Sequence, residues 1–204
     1  MNYYAFIRFC YQYYNQQIFQ DERKVMYKNT TQGYGRITKL LHWLSAIVIF
    51  ALFGLGFWMV DLTYYSEWYK TAPHWHKSIG ILLFVATVLR LVWRKINVKP
   101  DAIDTHSAVV RKSAHIAHFM LYGLLLVLMC SGYLISTADG RAISVFNWID
   151  VPALGELFSN QEDISGLVHE YVAYILISTA VLHALAAIKH HVIDKDATLT
   201  RMFK

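Results

Sequence analysis

The sequence predicts an all-α membrane protein, a bundle of four transmembrane helices with both chain termini in the cytoplasm. Hydrophobic residues make up 56% of the 204 residues and charged residues only 16%, whereas an ordinary soluble domain has about 25% charged residues. The apolar residues also fall into four blocks. Crossing about 30 Å of hydrocarbon takes roughly 20 helical residues. The blocks, with their flanks, reach that length.

The blocks follow one another along the chain at 40–60, 79–93, 114–137 and 167–188. The second is the shortest. It reaches a spanning length by including residues 76–78 and the basic end at 90–94, where long arginine side chains can extend to the membrane surface. Four spans place the two termini on the same side of the membrane.

The distribution of basic residues predicts the orientation. Of 19 Lys and Arg residues, sixteen precede the first span, lie around the connection between the second and third, or follow the fourth. The other side keeps only Lys70, Lys77 and Arg141, beside eight acidic residues. The positive-inside rule then places the termini in the cytoplasm and the 61–75 and 138–166 loops outside. The basic balance reflects topology in a cell inner membrane and does not indicate nucleic-acid binding.

The first 32 residues are rich in Tyr, Phe and polar residues and show no periodicity. They lack the apolar core of a secretory signal. Met26 is an alternative start, in which case residues 1–25 lie outside the native chain. The sequence therefore divides into an N-terminal extension of unknown role at 1–32 and a four-helix membrane domain at 33–204.

Histidines inside the apolar blocks are the main functional signal, because an imidazole is costly in hydrocarbon unless it is paired or bound. His169 and His183 are 14 residues apart in the fourth block. At about 100° per residue they share one helix face, roughly 21 Å apart along the axis. His42 follows the basic Arg36 by six residues, and His183 precedes Lys189 by six. We therefore expect these two histidines at the same inner depth.

An outer pair follows from the same reasoning. His76 begins the second span from outside, as His169 begins the fourth. Two level pairs of neutral imidazoles on facing helices are what two b-type haems need as axial iron ligands. His74 competes with His76, but it follows Pro73 in a loop. The alternative is that all these histidines face water or each other at helix ends.

Three further residues are candidates for cofactor contacts at the inner level, and no catalytic residue is predicted. Arg90 is 14 residues after His76, on the same helix face, and could pair with haem propionates or reach the interface. His190 is seven residues from His183 and is our first choice for contacting a quinone; His118, at the inner end of the third span, is the second. Hydrated helix ends remain the alternative for both.

Several segments resemble the bacterial cytochrome b561 family: LLHWLSAIVIFALFGLGFWMV, HKSIGILL, AHIAHFMLYGLLL, SGYLISTADG and LHALAAIKHHVIDKDATLTRM. The resemblance covers about 33–203. It implies a four-helix cytoplasmic-membrane protein with two b haems that exchanges electrons with quinone. The family's ligand positions fall on His42 and His183 for the inner haem, and on His76 and His169 for the outer. Members also transfer electrons from superoxide to quinone, but the acidic outer loops here repel an anion on average.

The sequence thus predicts transmembrane electron transfer through two b haems, with membrane quinone and a periplasmic redox donor as partners. Whether the chain is itself a quinone-linked oxidoreductase stays open. An alternative is a haem-b anchor subunit that passes electrons from a periplasmic dehydrogenase. A histidine-lined metal transporter is a weaker one, because the spans lack the carboxylates that hard cations prefer.

Overall fold

Each apolar block of the sequence coincides with a long helix, apart from the last residue of the first block. The structure is a computed structural model and describes residues 27–103 and 105–203, so most of the N-terminal extension predicted at 1–32 falls outside the described residues. The elements in chain order are α1 (Arg36–Met59), α2 (Thr71–Ile96), α3 (Ala108–Thr137), β1 (Ile143–Val145), β2 (Ile149–Val151), α4 (Gln161–Val192) and α5 (Thr200–Phe203).

Three helices of the described chain, α1, α3 and α4, are both long and apolar enough to cross a membrane. α2 has 26 residues and is therefore equally long, but it carries Lys77 near its beginning and Arg90, Arg94 and Lys95 toward its end. Its uninterrupted apolar stretch is correspondingly shorter. The helical, membrane-embedded character predicted from the sequence is confirmed, whereas a fourth span rests on the length of α2 alone.

The helices pack as two pairs. α1 packs along α2 and α3 along α4, while contacts between the two pairs are sparse. One leucine from each helix meets at the centre, where Leu52, Leu83, Leu125 and Leu176 form the buried apolar cluster. Most large apolar side chains elsewhere on the helices point outward, as expected for surfaces in contact with lipid. The seam between the pairs is therefore closed by leucines at mid-height.

A short hairpin covers the N-terminal end of α2. β1 and β2 are antiparallel, with Val145 opposite Ile149, so a three-residue loop connects them. In this loop Phe146 and Asn147 adopt positive φ angles, and the Trp148 N–H donates to the Val145 carbonyl at 2.9 Å. The hydroxyl of Ser78, which is fully buried, accepts a hydrogen bond of 3.0 Å from the Phe146 backbone N–H. This contact fixes the hairpin on α2, two residues after His76.

Gln161, the first residue of α4, is 1% exposed and joins three segments. Its Oε1 accepts from the Leu157 N–H at 2.7 Å, and its Nε2 donates to the carbonyl of Leu134 at 3.0 Å and to that of Gly155 at 3.3 Å. The side chain thereby connects the loop before α4 and the end of α3 to the start of α4.

We expect Gln161→Leu to lower the free energy of unfolding by about 1–3 kcal/mol, because buried backbone groups lose their partners. Thermal unfolding in detergent, followed by circular dichroism, measures the effect. Glu162→Gln, at the exposed neighbouring position, is the control. Equal midpoints for the two variants would show that the hydrogen bonds of Gln161 do not hold the loop.

Candidate functional site

His76 of α2 and His169 of α4 meet across the seam between the two helix pairs, at the level that the sequence predicts to be the outer one. Their ring centroids are 6.2 Å apart and their planes differ by 67°. The Nδ1 of His169 lies 2.9 Å from the Leu128 carbonyl, which can only accept, so Nδ1 carries the proton and Nε2 keeps its lone pair. The Nδ1 of His76 is buried without a hydrogen-bond partner. Both rings are placed to offer a nitrogen to a shared ligand.

Two glycines make room for this outer pair. A Cβ atom at Gly132 of α3 would lie 2.9 Å from Cε1 of His169, and one at Gly56 of α1 would lie 3.1 Å from Cε1 of His76. Small residues near the histidines, including Gly56, are apparent in the sequence. Gly132 was not anticipated, although it lies 14 residues after His118 and thus on the same face of α3.

The other level, which the sequence predicts to be the inner one, brings together four of the predicted residues. His42 of α1 and His183 of α4 have ring centroids 6.4 Å apart and planes at 72°. The Nη2 of Arg90 lies 2.8 Å from Nδ1 of His42. His118 of α3 has its ring centroid 5.2 Å from that of His183. All four long helices therefore contribute to this level.

A seven-residue spacing relates the two levels to the leucine cluster. Seven residues fall only about 20° short of two turns, so such residues share a helix face about 10 Å apart. The residues that follow this spacing are His76, Leu83 and Arg90 on α2, His118, Leu125 and Gly132 on α3, and His169, Leu176 and His183 on α4. The seam thus has an outer histidine layer, a leucine layer and an inner histidine layer.

These residues fit a bis-histidine haem at each level. Metal–nitrogen bonds are about 2 Å long, so two imidazoles on opposite faces of one haem iron have ring centroids about 6 Å apart. The separations of 6.2 and 6.4 Å match this spacing. His74 does not compete, because its ring lies against Phe146, with centroids 6.3 Å apart.

His190 lies in a different cluster, beyond the inner histidine level. Its Nδ1 is 2.7 Å from Oδ2 of Asp194, and its ring centroid is 4.8 Å from that of His106. His106 in turn contacts Asp196, with Nε2 and Oδ2 2.7 Å apart. Burial alone would raise the pKa of Asp196, but hydrogen bonds from Thr198 and His106 lower that pKa to about 2. Asp196 is therefore ionised at neutral pH.

Comparison with known proteins decides the family. The family model described as "Prokaryotic cytochrome b561" matches residues 33–204. The chain belongs to the prokaryotic cytochrome b561 family. It is 48% identical over 176 residues to cytochrome b561 homolog 2 of Escherichia coli (strain K12), covering 86% of this chain and 94% of the relative. The resemblance read from the sequence is thereby confirmed.

Two more distant relatives belong to the same comparison. "Probable superoxide oxidase CybB" of Yersinia pestis is 28% identical over 163 residues, covering 79% of this chain and 90% of the relative. Cytochrome b561 homolog 1 of Escherichia coli (strain K12) is 28% identical over 168 residues, covering 79% and 92%. Membership of the family makes this chain a haem b-binding membrane protein of electron transport, with quinone-type redox partners as a general class.

We expect Gly132→Ala to disturb the outer haem selectively, because the new methyl group would displace the His169 ring. Haem content and a redox titration of the haem absorption measure the effect, with the expected result that haem is lost or that a haem potential shifts. Gly123→Ala is the matched control, since it lies nine residues earlier on the opposite face of α3, and a Cβ there meets nothing within 4 Å. If both variants match the wild type, Gly132 does not support the outer ligand.

Proposed function

We propose that this protein carries electrons across the membrane through two b haems and exchanges them with membrane quinone. His76 and His169 hold the outer haem, and His42 and His183 hold the inner one. The observation that carries the proposal is the two imidazole pairs, both of which bridge the seam between helix pairs at the separation that one iron requires. The haems supply the one-electron chemistry, while the chain binds and orients them.

The outer ligand His169 is oriented by its neighbours. Its Nδ1–H donates to the Leu128 carbonyl and lies 3.2 Å from the Ser131 hydroxyl. Such a bond fixes the ring and makes the remaining nitrogen a stronger donor to iron. The leucine layer below keeps water out of the space between the two levels.

Arg90 has a distinct role at the inner level. In the structure its guanidinium donates to Nδ1 of His42, so the proton of the neutral ring is on Nε2. Ligation through Nε2 requires Arg90 to release Nδ1, which can then carry the proton. A haem propionate is the partner that a guanidinium favours, through paired charge-assisted hydrogen bonds. We therefore assign Arg90 to the propionates of the inner haem.

The proposed topology has four spans in the cell inner membrane with both termini in the cytoplasm. α2 serves as the remaining span, its arginine-rich end extending to the inner surface. The excess of Lys and Arg on the side of the termini supports this orientation. The His42–His183 level then lies near the cytoplasm and the His76–His169 level near the periplasm.

The outer surface bears on the choice of electron donor. One relative carries superoxide oxidase in its name. In this chain the outer side has eight acidic residues and three Lys or Arg, and Arg141 is already paired with Asp139. Because this surface repels a small anion on average, we propose a neutral or cationic periplasmic donor.

We expect two haems per chain in a pyridine haemochrome assay of the purified protein. His42→Ala or His183→Ala should reduce the ratio to one by removing the inner haem, and His76→Ala or His169→Ala should do so by removing the outer haem. His74→Ala is the matched control and should keep both. A wild-type ratio near one, or a His183 variant with both haems, would contradict the pairing.

We expect His118→Ala to slow reoxidation of the reduced haems by a short-chain quinone about fivefold, the effect of one hydrogen bond of about 1 kcal/mol to the quinone carbonyl. His118 replaces His190 as the first candidate for contacting the quinone, because His118 contacts His183 while His190 faces Asp194. Stopped-flow absorbance measures the rate in His118→Ala and in His190→Ala.

The exposed His191→Ala is the control for that experiment, and haem spectra must stay unchanged in every variant. Wild-type rates in both the His118 and the His190 variants would place the quinone away from the inner level. If only the His190 variant is slowed, His190 rather than His118 contacts the quinone, as the sequence analysis expects.

A further inference from the structure

Three metal-ligating side chains converge at the inner end of the bundle, apart from the haem ligands. They are His106, in the loop before α3, His190, in the last turn of α4, and Asp196, in the turn that follows α4. Their ligand atoms all lie within 4.8 Å of one another. The side chains are only 16%, 17% and 4% exposed, respectively, so the cluster is largely shielded from water.

Ordinary hydrogen bonding accounts for part of this cluster only. His106 Nε2 donates to Oδ2 of Asp196 at 2.7 Å, and the other Asp196 oxygen accepts from the Thr198 N–H at 2.8 Å. The buried Nδ1 of His190 faces two carboxylates but forms no hydrogen bond of regular geometry with either. Oδ2 of Asp194 lies 2.7 Å from this nitrogen and Oδ2 of Asp196 lies 3.4 Å from it. Two carboxylate oxygens this close to one imidazole nitrogen favour a positive charge between them, carried either by a proton on that nitrogen or by a metal ion.

We propose that His106, His190 and Asp196 form a binding site for a divalent transition-metal ion, with zinc as the best match. Two imidazole nitrogens and a carboxylate oxygen form a donor set that Zn²⁺ binds at about 2 Å in tetrahedral geometry. Asp194, whose carboxylate accepts from Lys189 Nζ, lies beside His190, and a water molecule or an Asp194 oxygen would complete the fourth position. Hard cations such as Mg²⁺ and Ca²⁺ prefer oxygen ligands throughout, so the two imidazoles select against them.

The metal would replace a proton rather than add to the existing bonds. Coordination by Nε2 of His106 removes the proton that this nitrogen now donates to Asp196, and the ion takes its place between them. His190 and Asp196 are also held together through the backbone, where the Asp196 N–H donates to the His190 carbonyl at 3.1 Å. The chain therefore brings two of the ligands close together without the metal.

The site would fasten the C-terminal segment beneath the inner haem. After Asp196 the chain enters α5, where the Met202 carbonyl accepts from the indole N–H of Trp43 at 2.9 Å and the Phe203 ring stacks on the same indole, with centroids 4.5 Å apart. Trp43 is the neighbour of His42. A metal ion joining the 105–107 loop, α4 and the C-terminal segment would therefore stabilise the cover of the inner level. This role is additional to haem binding and does not depend on it.

Zinc binding is measured on the haem-loaded, chelator-washed protein by equilibrium dialysis against micromolar Zn²⁺ and elemental analysis. We expect one zinc ion per chain in the wild type and none in His106→Gln or Asp196→Asn. The glutamine side chain can keep the hydrogen bond to Asp196 but is a poor zinc ligand. His191→Ala, which removes an exposed histidine next to His190, should retain the ion.

Haem content is read on the same samples, so failure of this site and failure of the haem assignment are distinguishable. Zinc that persists in both variants, or a wild-type chain without zinc, would overturn the proposal. A thermal melt of the wild type provides a second measurement that needs no variant. Zn²⁺ should raise the unfolding temperature while Mg²⁺ leaves it unchanged, and an equal response to the two ions would contradict a site built on imidazoles.

Discussion

The burial of imidazole pairs between two helix pairs is the constraint on which this structure depends. A polar ring in an apolar bundle is costly unless each nitrogen has a partner. Here α1 and α2 form one pair, α3 and α4 the other, and His42–His183 and His76–His169 bridge the seam between them. The haem that we propose at each level would bind one nitrogen of each ring and, at the same time, join helix pairs that otherwise touch little.

The seven-residue spacing explains how one stripe of α2, of α3 and of α4 serves both chemistry and packing. On α4, His169, Leu176 and His183 follow one another at this spacing, so the histidines face the seam wherever the leucine does. The leucine layer supplies the apolar contact that holds the four helices together at mid-height. Its position also separates the two proposed redox centres, each of which faces a different surface of the membrane.

Much of this arrangement is predictable from the sequence. Basic residues at the helix ends indicate the depth of a residue in the membrane, and the spacing between residues indicates which helix face they share. Those two readings pair His42 with His183, and the structure places the rings side by side. Contacts between distant loops carry no such signal. The approach of His106 to Asp196 across 90 residues depends on how the loop before α3 folds back, and His190 lies in that cluster rather than beside the inner pair. Apolar residues alone predict where the helices lie. They do not establish that α2 spans the membrane, because its arginines shorten the apolar stretch.

Electron paramagnetic resonance of the oxidised, purified protein tests the central claim most directly, because it reports the axial ligands of ferric haem without any substitution. Two haems held by facing imidazole pairs predict low-spin signals typical of bis-histidine ligation that integrate to two spins per chain. A high-spin signal from either haem, or low-spin intensity equal to one spin per chain, would contradict the account. The first result would mean that one iron lacks a second imidazole, and the second that only one histidine level binds haem.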